Sequence, residues 1–121
     1  MIKSAAISDL LRKSIEKDID MVFISRLTGE ILCSEKKSET ENELIPDILS
    51  SAFSEYLSLA SDQNEKLNML IIENEDSNLI CAPLYDYFLA MKGKKELPLG
   101  KLKAHLKCLK KNLETTLDPF I

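Results

Sequence analysis

The stretch from Ile45 to Ala60 restricts the folds open to this 121-residue chain more than any other. With Ile45 at 0° and about 100° per residue, Ile48, Leu49, Ala52, Phe53, Tyr56, Leu57, Leu59 and Ala60 fall on one half of a helix. Asp47, Ser50, Ser51, Ser54, Glu55 and Ser58 take the other half. A helix lying on one sheet needs an apolar stripe of roughly 100°, and this one spans roughly 180°. Part of that arc can lie on a sheet of the same domain, because a chain of this length buries roughly two-thirds of the surface it exposes when unfolded. The rest calls for a second partner, so the surplus reads as an assembly surface.

The flanking segments supply the sheet. Residues 2–17 carry Ile7, Leu10, Leu11 and Ile15 at helical spacing. Ile19–Ser25 and Glu30–Ser34, joined through Leu27-Thr28-Gly29, form a hairpin. The unbroken apolar run Met21–Ile24 suits a central strand covered on both faces, whereas Glu35-Lys36-Lys37 has the charge that blunts an exposed edge. Ser38–Asn42 reads as a polar loop. Pro46 then fits the first turn of the middle helix, where its missing N–H costs little, and Asp47 suits the helix dipole. After the helix ends near Asp62-Gln63-Asn64, strands are expected at Leu67–Glu73, Asn78–Ala82 and Tyr87–Met91. Their connections, Asn74–Ser77 and Pro83–Asp86, are short enough only for antiparallel hairpins. A final helix begins near Leu99 and stops before Pro119. It carries a seam of Leu99, Leu102, Leu106, Leu109, Leu113 and Leu117, with Lys103, Lys107 and Lys110 on a neighbouring face. The expected order is αββαβββα in a single domain, residues 1–121.

From Leu79-Ile80-Cys81-Ala82-Pro83-Leu84-Tyr85-Asp86 through Tyr87-Phe88-Leu89-Ala90-Met91, and again at Leu99-Gly100-Lys101-Leu102-Lys103, the sequence resembles the roadblock domain family. That family includes dynein light chains, lysosomal scaffold subunits and prokaryotic regulators of small GTPases; longin domains share a related layout. Two positions depart from the family pattern. Tyr85 stands where a glycine is common, so the turn would lean on Asp86 or another geometry, and Pro98 replaces a small polar cap. The resemblance implies an α+β fold with a five-stranded antiparallel sheet. The middle helix would cover one face and the first and last helices the other, with the third strand at an edge. It also implies that two chains pair through that strand and the middle helix, which places Ile48, Leu49, Ala52, Phe53, Tyr56, Leu67, Met69 and Ile71 at a dimer interface.

Little in the sequence points to catalysis. Gly29, Gly93 and Gly100 are the only glycines and cannot build a phosphate-binding P-loop, and Gly93-Lys94 reads as part of a solvated lysine-rich turn. One histidine, His105, excludes a multi-histidine metal cluster. Cys33, Cys81 and Cys108 are widely spaced and read as small buried hydrophobes with reduced thiols. Arg12 and Arg26 are the only arginines, neither in an evident loop. No cofactor or metal site is expected. With no apolar run near the ~18 residues of a membrane span and no signal-peptide core at the N-terminus, the expected location is cytoplasmic, with any membrane recruitment through partners.

Charge is unevenly divided. Residues 1–91 hold 8 Lys+Arg against 17 Asp+Glu, and residues 92–121 hold 8 lysines against 3 acidic residues. Lys103, Lys107 and Lys110 are therefore candidates for docking an acidic protein surface or an anionic membrane. Nucleic acid is not expected, because the lysines lack interleaved aromatics and the rest of the chain repels phosphate. Together with the surplus apolar surface, the resemblance implies a non-catalytic dimeric platform, made with itself or a second roadblock-like chain, and the resemblance alone implies that it binds and modulates a small Ras-like GTPase. The alternative is a structural subunit of a transport or membrane-tethered scaffold without GTPase contact.

Overall fold

Strand β1, Ile19–Arg26, is buried along all but its last residue, and its alternation divides the molecule into two cores. Val22 and Ile24 face one way, Met21 and Phe23 the other. The computed structural model describes residues 4–39 and 44–117. Around β1 lie α1 (Ser4–Ser14), β2 (Ile31–Lys36), α2 (Ile45–Asp62), β3 (Leu70–Glu73), β4 (Ser77–Leu84), β5 (Tyr87–Lys94) and α3 (Leu99–Leu117). The strands form one antiparallel sheet in the order β2-β1-β5-β4-β3. This is the expected αββαβββα arrangement, with β3 at one edge and β2 at the other.

On one face, Ile7 and Leu11 of α1 join Leu102, Leu106, Leu109 and Leu113 of α3 over Val22, Ile80 and Leu89. On the other, Ile45, Leu49 and Phe53 of α2 close over Met21, Phe23, Cys81 and Phe88. Three aromatic rings centre this second core. Phe53 stacks on Phe88 with centroids 5.2 Å apart, and Phe23 meets Phe88 edge-on at 5.9 Å.

Several boundaries differ from the sequence expectation. β3 starts at Leu70 rather than Leu67. Continuing its register past the Leu70–Cys81 pair would set Asn68 against Pro83, which has no N–H for the ladder. β5 runs on to Lys94, so Gly93-Lys94 is not a solvated turn. Gly93 is buried where a Cβ would stand 3.0 Å from Leu102 Cδ1, and Lys94 Nζ meets the Asp20 carboxylate at 2.9 Å. β2 reaches Lys36, so Glu35 and Lys36 lie in the ladder opposite Val22 and Met21. In the two-residue β4–β5 turn Tyr85 itself takes φ +55°, the backbone of a II′ turn, whose first position usually goes to glycine. Residues 40–42 of the expected polar loop, and the end of the chain at Pro119, lie outside the described residues.

Candidate functional site

Among the described residues, α2 is held from one side only. Ser54 Oγ donates to the Leu27 carbonyl at 3.2 Å, and Ser50 is buried with its hydroxyl on the Asp47 carbonyl at 2.9 Å. Gly29, at φ +97°, lets the β1–β2 turn approach closely, since a Cβ there would sit 3.3 Å from both Asp47 Oδ1 and Ser50 Oγ. The serine flank of α2 thus packs on its own chain through small residues. The opposite flank leans towards β3 with no covering segment among the described residues. There Ile48, Tyr56 and Leu59 are 54, 50 and 49% exposed.

The sheet edge beside this flank is also apolar. Leu70 and Ile72 of β3 join the α2 core while Ile71 and the preceding Met69 join the α3 core, and all four are half-buried. Among the described residues no strand pairs with the outer edge of β3. Two clefts run between α2 and this edge. One of about 350 Å³ is lined by Ile45, Ile48, Ile72, Leu79 and Lys92, the other of about 370 Å³ by Leu57, Ser61, Leu67 and Pro83.

The expected interface residues separate accordingly. Ile48 and Tyr56 are exposed, and Ala52, Leu67, Met69 and Ile71 are half-buried on or beside the free surface. Leu49 and Phe53 are each only 1% exposed: the chain's own sheet takes them up, and they drop out of any surface offered to another molecule. Leu59 and Ile72 belong to the surface instead. Periodicity placed Leu59 in the apolar arc, but which side of that arc stays free depends on the β1–β2 turn, 18 or more residues upstream in the chain.

On the far face of the sheet, Lys107 and Lys110 line a cleft of about 330 Å³ together with Asn68, Met69, Ala82 and Leu106. Lys103 lies on the same flank of α3, half-buried. His105 points instead to α1, its Nε2 3.6 Å from the Glu16 carboxylate. The cysteines do not converge. Cys81 is buried, and desolvation pushes its thiol up to about 12. Cys33 is half-buried with its sulfur 3.3 Å from Ser8 Oγ, while Cys108 is exposed, contrary to the expectation that all three are buried. Among the described residues no group of three or more His, Cys, Asp or Glu could hold a metal ion, and no helix is long and apolar enough to cross a membrane.

No family model and no curated protein sequence matches the chain. Solved structures do. Myxococcus xanthus MglB superposes with a TM-score of 0.80 at 13% identity, over 98% of this chain and 89% of that one. The gliding protein MglB from Thermus thermophilus gives 0.78 at 15% identity, covering 96% and 91%. A Roadblock/LC7 domain from Streptomyces avermitilis gives 0.76 at 12% identity, covering 97% and 98%. Identities this low speak to architecture, and the architecture matches over nearly the whole of each chain: this protein has the roadblock fold.

Proposed function

We propose that the chain is a non-catalytic platform that works as a pair, a second roadblock-like chain covering β3 and the free flank of α2, and that the pair binds and modulates a small Ras-like GTPase. The observation that carries the pairing is the coincidence, on one side of the molecule, of two apolar features that no other described segment covers, the Ile48–Tyr56–Leu59 flank and the β3 edge. Fully burying each large side chain contributes roughly 1.5–3 kcal/mol, and an uncovered apolar edge invites aggregation. The GTPase is supported by the resemblance to prokaryotic regulators of small GTPases together with the fold, a warrant of analogy rather than of residue chemistry.

The two arginines favour a regulator that rearranges the GTPase's own groups over one that lends an arginine finger. Arg12 is engaged with Asp9 at 2.9 Å and Glu35 at 3.8 Å. Arg26 lies over the Tyr87 ring, 5.5 Å from its centroid, and beside Glu30.

Light scattering on the purified chain should give a dimer, and Ile48→Glu with Tyr56→Glu should give a monomer of unchanged circular dichroism. Pull-down with GTPases of the same cell in both nucleotide states, with turnover measured alongside, tests the second half. Binding in neither state removes the GTPase and leaves the alternative, a structural subunit of a larger scaffold.

A further inference from the structure

The two ends of β3 carry opposite charge on the same face of the sheet. β3 runs into Glu73 and the turn Asn74-Glu75-Asp76, all exposed. By strand alternation Glu73 points to the α3 side, the side taken by Met69 and Ile71. At the other end, Asn68 and Met69 share the 330 Å³ cleft with Lys107 and Lys110, and no acidic side chain lines it. Among the described residues none of Glu73, Glu75, Asp76, Lys107 and Lys110 forms an ion pair within the chain.

A twofold pairing of β3 with itself is antiparallel and self-complementary, so each end of the strand meets the opposite end of its mate. With the axis through Ile72, within the four-residue strand, opposed residues share a face of the sheet: Glu73 comes opposite the partner's Ile71, and Glu75 and Asp76 opposite the partner's Met69 and the partner's Asn68, the two residues beside the lysine cleft. Resting on the pairing proposed above, we infer that the second chain at this edge is another copy of the same protein. The acidic β3–β4 turn of each copy enters the Lys107–Lys110 cleft of the other, and these two exchanged contacts fix the register of a four-residue strand that, short and apolar up to Glu73, cannot set its own. A chain with a different charge pattern would leave lysines facing lysines or carboxylates unpaired at the rim. The charge polarity of the chain thus selects its partner as well as its register.

Charge exchange tests this on the full chain. Glu73→Lys with Glu75→Lys and Asp76→Lys forms one variant; Lys107→Glu with Lys110→Glu forms the second. All five positions lie outside both cores, Glu73 at the end of β3 and the others in the turn or on the helix flank, and circular dichroism checks that each variant folds. Each variant alone sets like charges together at both contacts, so its dissociation constant in sedimentation at low salt should rise roughly tenfold or more. Mixed, the two restore opposite charges at both contacts, and the mixed pair should form with close to the wild-type constant. A wild-type dimer indifferent to both variants, or variants whose mixture recovers nothing, overturns the inference and leaves the paired platform standing. A wild-type chain that sediments as a monomer overturns both.

Discussion

Tyr85 holds a left-handed backbone that costs a side chain roughly 1–2 kcal/mol, and its hydroxyl reaches the Glu114 carbonyl of α3 at 3.4 Å. The residue that strains the turn also ties it to the last helix. Gly29 meets the same backbone demand without a side chain, at φ +97° and under α2. Gly29→Ala should therefore lower stability by about 1–2 kcal/mol in urea unfolding. Gly100→Ala, in α3 with open space at its Cβ, should raise it by up to about 1 kcal/mol. The thiols offer a second check at this scale. Alkylation near neutral pH should label Cys108 first and Cys33 more slowly, as peptide mass mapping would show. Cys81, buried and with its thiolate strongly disfavoured, should react only when the chain unfolds.

Among the elements, α2 is divided, one side of its apolar arc buried in the core and the other exposed. Phe53→Ala removes a ring stacked on Phe88 in the core and should cost about 3–5 kcal/mol. Ile48→Glu, on the exposed flank, should leave the unfolding midpoint of the isolated chain nearly unchanged while abolishing pairing. If Ile48→Glu instead unfolds the chain, or Phe53→Ala spares its stability, the assignment of the two sides is reversed. The arc itself, the Leu102–Leu113 seam and the two-faced β1 were legible as spacing, because side-chain periods of 3.6 and 2 are local properties of the backbone. The division of the arc was not. Leu49 and Phe53 look no different in sequence from Ile48 and Tyr56, and only the β1–β2 turn, docking through Ser54 and Gly29, rotates the helix so that one pair is covered. The late start of β3 was hidden for a similar reason, since Pro83 limits a strand that precedes it by more than a dozen residues.

At the scale of the molecule, one cluster of cations fastens the α1–β1 connection to both neighbours of β1. Lys94 Nζ bonds the Asp20 carboxylate at 2.9 Å and the Lys17 carbonyl at 3.1 Å, and Lys37 Nζ reaches the carbonyls of Glu16 and Lys17. The hydrogen bond to Asp20 holds the Lys94 ammonium above its ordinary 10.5. A raised folded-state value means that this stabilisation is complete below the unfolded value and is lost as pH climbs through the folded one. Urea midpoints of wild type and Lys94→Met should accordingly differ at about pH 9 and converge as pH climbs above the ordinary lysine value of 10.5; a gap that persists would place the stabilisation in the lysine stem instead. The sequence by itself determined the element order, the five strands and the surplus of apolar surface, because each follows from the spacing of residues along a few turns or a single strand. Which residues form that surplus, and that the acidic turn and the Lys107–Lys110 cleft lie at opposite ends of β3, was decided only when distant segments packed together, because burial and facing depend on neighbours that the local chain does not contain.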